Sequence, residues 1–185
     1  MSSKMTGTFL FVLAVIGGEA MAKDSGPARD VIDKIIIHTI GGPNTECPNG
    51  KLDFSGAGKD AAFWKGYFEK HEVLGVHYII DKAGTQIESI SIDEVANHAL
   101  GQNQASIGIE LVHSGNGSDP FPDAMITALN RLLSELAVRH SLKRGQFLAH
   151  SALDTRTFDC GGNTYKVKMD PGTNFPWDKA LAGIN

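Results

Sequence analysis

The chain has 185 residues, 42% hydrophobic and 21% charged, which suits one globular domain with an ordinary core and leaves little room for a second. A net charge of −4, with no run of Lys or Arg, makes nucleic acid an unexpected partner and equally a strongly anionic membrane surface. The two cysteines, Cys47 and Cys160, allow a single pairing.

In chain order, residues 1–22 stand apart. Lys4 precedes the apolar run Phe9 to Ile16, and Ala20-Met21-Ala22 has the A-x-A form of a cleavage site. The run is too short to span a bilayer, so it reads as a secretory signal peptide rather than a buried N-terminal helix. No cysteine follows the apolar core directly, so no membrane anchor is expected after cleavage. The mature part, 23–185, is therefore expected in the periplasm or outside the cell. There a Cys47–Cys160 disulfide is preferred over two buried thiols. It would close a loop of about 113 residues, which the chain-entropy model values at up to about 4.7 kcal/mol.

Lys34 to Ile40 (KIIIHTI) is a continuous β-branched run, read as a buried strand. A Gly/Pro/Asn-rich loop covers 41–58. Residues 59–72 suit a helix with Ala61, Trp64, Tyr67 and Phe68 on one face. His77 to Ile80, a DKAG turn and Gln86 to Ile90 form an expected hairpin. Residues 91–105 look irregular or briefly helical. Ser106 to Val112 is a further strand, and Pro122 opens the longest helix, to about His140, on the spacing of Met125, Ile126, Leu129, Leu132, Leu133 and Leu136. Phe147 to His150 is the last expected strand. Strands and helices intermix in a single α/β domain.

The segment KVKMDPGTNFPWD, 166–178, places Lys168 two positions before Asp170, and Pro171 stiffens the backbone there. No HExxH occurs, because His71-Glu72 lacks a second histidine in register. A metal site would have to be assembled from His38 late in the first strand, His150 at the end of the last, and Asp170. Two imidazoles, one carboxylate and an open fourth position describe a catalytic zinc site. With seven histidines in the chain, spacing alone leaves that assignment open.

Five segments in order carry a resemblance: IIIHTI at 35–40, GVHYIIDKAGT at 75–85, NHALGQNQASIGIEL at 97–111, LAH at 148–150 and KMDPGTNFPW at 168–177. Together they resemble the zinc-dependent N-acetylmuramoyl-L-alanine amidases of the amidase-2 family, which includes phage lysozyme-type amidases and peptidoglycan recognition proteins. The resemblance implies a central mixed β-sheet flanked by helices. It also implies that His38, His150 and Asp170 bind Zn2+, that Glu110 is the general base, and that Lys168 stabilises the oxyanion. His98 and Asn103 are implied to line the substrate groove or to be structural, and His77 to be buried in the hairpin. Some relatives carry tyrosine where Val76 stands. Some use cysteine as the third ligand, which makes Cys160 a rival to Asp170, but only Asp170 has the Pro-Gly context that follows the ligand in the family. The separation of His150 from Asp170 is longer than is common among relatives.

The implied reaction is hydrolysis of the amide between the lactyl group of N-acetylmuramic acid and L-alanine, with peptidoglycan or muropeptides as partner and a monomer as the expected state. Two rival readings are a peptidoglycan-binding module without catalysis and an amidase toxin delivered to competing cells.

Overall fold

The computed structural model describes Arg29, residues 31–55 and residues 58–185. The expected signal peptide lies outside the described residues. Strand β1 (Lys34–Thr39) leads to helix α1 (Ala61–Lys70), then to the antiparallel pair β2 (Tyr78–Ile80) and β3 (Gln86–Glu88). Strand β4 (Ser106–Leu111), helix α2 (Asp123–His140) and strand β5 (Phe147–Ala149) follow. The chain closes with a one-turn helix α3 (His150–Leu153), a hairpin β6 (Thr157–Cys160) and β7 (Asn163–Lys166), and a last turn α4 (Trp177–Ala180).

The main sheet has the order β3-β2-β4-β1-β5, and β2, β4, β1 and β5 run parallel. Interior parallel strands bury both faces, which is why β1 and β4 read as apolar runs instead of alternating ones. Side chains alternate across the sheet with period two. Ile35, Ile37, Ile107, Ile109 and Leu111 therefore face one way and join the core with Met125, Ile126, Leu129, Leu132, Leu133 and Leu136 of α2. Each such side chain contributes about 1.5–3 kcal/mol relative to exposure.

The opposite face is only partly covered. There α1 packs Ala61, Trp64 and Phe68 against Val76, Ile79 and Val112. Its N-terminus is capped by Asp60, whose carboxylate accepts from the Phe63 N–H at 2.8 Å. The part of this face left open by α1 carries His38 and Glu110.

Two elements differ from the sequence reading. The stretch between His150 and Asp170, expected as a long loop, is largely the hairpin β6–β7, and α3 starts at His150 where the strand was expected to end. Cys47 and Cys160 form a disulfide, with Cα atoms 5.4 Å apart, that ties the loop after β1 to the hairpin. The approach there is close: a Cβ on Gly161, whose φ is +58°, would stand 2.4 Å from the Gly50 carbonyl oxygen.

Candidate active site and metal centre

The site is built from parallel register. His38 on β1 is paired with Glu110 on β4, so both side chains leave the same face of neighbouring strands. On the other side of β1, the pairing of Ile37 with Ala149 brings the next residue, His150, alongside. Asp170 arrives from the loop beyond the hairpin, and its carbonyl oxygen accepts from the Ser151 N–H at 3.0 Å.

Three buried donor atoms meet at this point. His38 Nδ1 lies 2.9 Å from His150 Nδ1 and 3.3 Å from Asp170 Oδ2, and His150 Nδ1 lies 3.1 Å from the same oxygen. Zinc–ligand bonds of about 2.0–2.1 Å in tetrahedral geometry put ligand atoms about 3.3 Å apart. The triangle is within a few tenths of an ångström of that edge, so donor chemistry and spacing both fit a zinc ion. Cys160, the rival third ligand, is committed to the disulfide.

The electrostatics agree with a cation site. Burial acts to raise the Asp170 carboxyl, but the facing His150 and His38 rings outweigh it and hold the group below its ordinary value. Burial lowers the His38 imidazole, against the favourable pull of Asp170. Glu110 is the opposite case. Burial raises its carboxyl well above the ordinary value, Asp170 adds to the rise and Lys168 opposes it. Its Oε2 is buried without a hydrogen-bond partner. Lys168 is half-buried and, among the described residues, its ammonium makes no hydrogen bond or ion pair.

These groups open into one pocket of about 320 Å³. His38, Glu110, His150, Lys168 and Asp170 form its polar floor, and Trp64, Tyr67, Phe68 and Leu74 form an apolar wall with Pro43 and Val76. Val76 is buried and offers no hydroxyl where some relatives have tyrosine.

The remaining expected residues divide. His98 lines the pocket but also bonds to protein, its Nδ1 lying 3.0 Å from His38 Nε2. Asn103, for which groove and structural roles were both open, does not line the pocket. Its Oδ1 accepts from the His98 and Ala99 N–H groups at 3.1 and 2.8 Å, and its Nδ2 donates to Asn97 Oδ1 at 2.7 Å. These three bonds hold the turn that presents His98. His77 is fully buried: its Nδ1 accepts from the Gly108 N–H at 2.9 Å, and the Arg29 guanidinium Nη2 meets its Nε2. Burial, with the Arg29 charge next, lowers it to about 3. Ser106, Gly108 and Gln102 have no assigned role in the sequence reading; all three lie in the NHALGQNQASIGIEL segment at 97–111, which was their one signal.

Comparison with known proteins gives one family. The model of the family described as N-acetylmuramoyl-L-alanine amidase matches residues 28–173. The chain is 24% identical over 172 residues to the 1,6-anhydro-N-acetylmuramyl-L-alanine amidase AmpD of Haemophilus influenzae, covering 87% of each protein. Among solved structures it is similar to the N-acetylmuramyl-L-alanine amidase AmiD from E. coli, in complex with anhydro-N-acetylmuramic acid-L-Ala-D-gamma-Glu-L-Lys. The TM-score is 0.58 at 23% identity, over 80% of this chain and 56% of that one. It is likewise similar to the amidase LysC from Clostridium intestinale, with TM-score 0.53 at 19% identity over 84% and 88% of the two chains. The matched family model spans most of the chain, including every residue that meets in the pocket, and the chain belongs to the N-acetylmuramoyl-L-alanine amidase family.

Proposed function

We propose that this amidase is a zinc enzyme in which His38, His150 and Asp170 hold the ion, Glu110 is the general base and Lys168 stabilises the oxyanion. The bond cleaved joins the lactyl carbonyl of N-acetylmuramic acid to the α-nitrogen of L-alanine in the stem peptide. The observation that carries this reading is the buried triangle of two imidazole nitrogens and one carboxylate oxygen, opening into the same pocket as Glu110 and Lys168.

A zinc ion held there supplies Lewis acidity, polarising a carbonyl and lowering the pKa of water. Glu110, whose Oε2 has no protein partner, is free to take the proton of the attacking water and return it to the departing amine. The Lys168 ammonium is free to donate to the carbonyl oxygen as negative charge develops on it. The loop carrying Asp170 and Lys168 keeps the two groups in fixed relation. The aromatic side chains of α1 line the pocket beside that floor and offer an apolar surface to a substrate.

The rival binding module without catalysis is disfavoured by the full set of ligands, base and cation. Export to the periplasm or medium is supported by the leader pattern in residues 1–22, and the disulfide suits an oxidising compartment. The test is digestion of defined muropeptides by the zinc-loaded protein, read by mass spectrometry. The expected products are a sugar with a free lactyl carboxylate and a stem peptide with a free L-alanine amine, with chelation abolishing the reaction and zinc restoring it. Cleavage at another bond, or none, would contradict the proposal.

A further inference from the structure

Only one of the ring nitrogens of His38 can face an ion, and it must carry no proton. A hydrogen-bond relay behind the ring determines which nitrogen that is. The Ser106 hydroxyl lies 2.7 Å from the Gln102 carbonyl oxygen. A carbonyl only accepts, so the single hydroxyl hydrogen of Ser106 points there. His98 Nε2, 3.2 Å from Ser106 Oγ, can then bond to it only as a donor. The neutral His98 ring therefore carries its hydrogen on Nε2 and presents a bare Nδ1. That Nδ1 is 3.0 Å from His38 Nε2, which must donate. His38 is left with a bare Nδ1, directed at His150 Nδ1 and Asp170 Oδ2.

The fold makes room for this arrangement in two further ways. The His98 ring lies over the backbone of β4 at Gly108, where a Cβ would stand 2.5–2.8 Å from three of its ring atoms. Glycine is thus required at that strand position if the ring is to reach His38. The turn that presents His98 is held by Asn103, through the two backbone N–H groups it accepts from. The two rings meet edge to face, with planes at 90° and centroids 5.1 Å apart.

We infer that His98 is a positioning residue for the metal centre: the Gln102–Ser106–His98 relay fixes His38 as the Nε2–H tautomer and offers its bare Nδ1 to zinc. This rests on the zinc reading above. Outer partners of ligating histidines fix tautomer and ring orientation, and their loss typically weakens metal binding about 10–100-fold.

The experiment has two readouts on the folded protein, neither of them turnover. Nitrogen-15 ring NMR of the metal-free wild type should show His38 protonated at Nε2 and bare at Nδ1. Zinc affinity measured by chelator competition should fall about 10–100-fold in His98→Leu. It should be largely restored in His98→Gln, whose amide can accept on one side and donate on the other. A wild-type His38 protonated at Nδ1 would overturn the inference without any variant. So would unchanged zinc affinity in a folded His98→Leu protein. Failure of the wild type to bind zinc at all would instead overturn the zinc reading on which the inference depends.

Discussion

His38 and Asp170 face each other across 3.3 Å, yet they belong to differently built parts of the molecule. His38 lies on an interior strand of the main sheet, flanked by β4 and β5, with a relay behind its ring. Asp170 and Lys168 lie at the end of an exposed hairpin whose tip is joined by a disulfide to the loop after β1. In the first region burial against α2 on one face of the sheet, and against α1 on part of the other, fixes the side chains. In the second there is little core to do so, and a covalent link between the two loops takes over. In the proposed mechanism the base stands on the sheet and the oxyanion cation follows this tethered hairpin wall, so the reaction needs both regions in register.

Reducing the Cys47–Cys160 bond strikes the tethered wall alone. The chain-entropy value for a loop of this length is up to about 4.7 kcal/mol, so the melting temperature should drop by many degrees. Hydrogen exchange should rise first across residues 155–168, before zinc is released. An unchanged melting temperature and unchanged exchange across residues 155–168 would show that the wall does not depend on the disulfide.

Glu110→Gln strikes the sheet-borne half and leaves the wall intact. Turnover should fall roughly 10²-fold or more while zinc content and muropeptide affinity are retained. Near-normal turnover would remove Glu110 from the mechanism. The same variant has a smaller effect on stability. Because burial raises the Glu110 carboxyl in the folded protein, the folded state binds more protons than the unfolded one above the ordinary value of 4.5. Stability of the metal-free wild type is therefore full below that value and declines as pH rises through the raised one. Metal-free Glu110→Gln should melt like the wild type at about pH 4 and higher than it near neutrality.

The two regions were unequally legible in the sequence. The strands of the sheet announced themselves as β-branched runs, and α2 by its helical spacing, because burial dictates both patterns. The hairpin β6–β7 buries almost nothing, so it left no hydrophobic pattern. Gly161-Gly162 between two short alternating runs was its one local mark. His38 and His150 are 112 residues apart, and only strand pairing brings them together. Spacing could not reveal that, whereas motif order could. Asn103 shows the limit of motif order: its position left groove and structural roles both open, and its hydrogen bonds go to the turn that presents His98. The relay through His98 was invisible for a different reason, since it depends on a backbone carbonyl and on the missing side chain of Gly108.

The most direct test of a centre shared by sheet and tethered wall is the zinc content of the purified protein and two variants. The wild type should hold one zinc per chain, Asp170→Ala should lose most of it, and Cys160→Ser should keep it. An Asp170→Ala protein that keeps its zinc would contradict the ligand set.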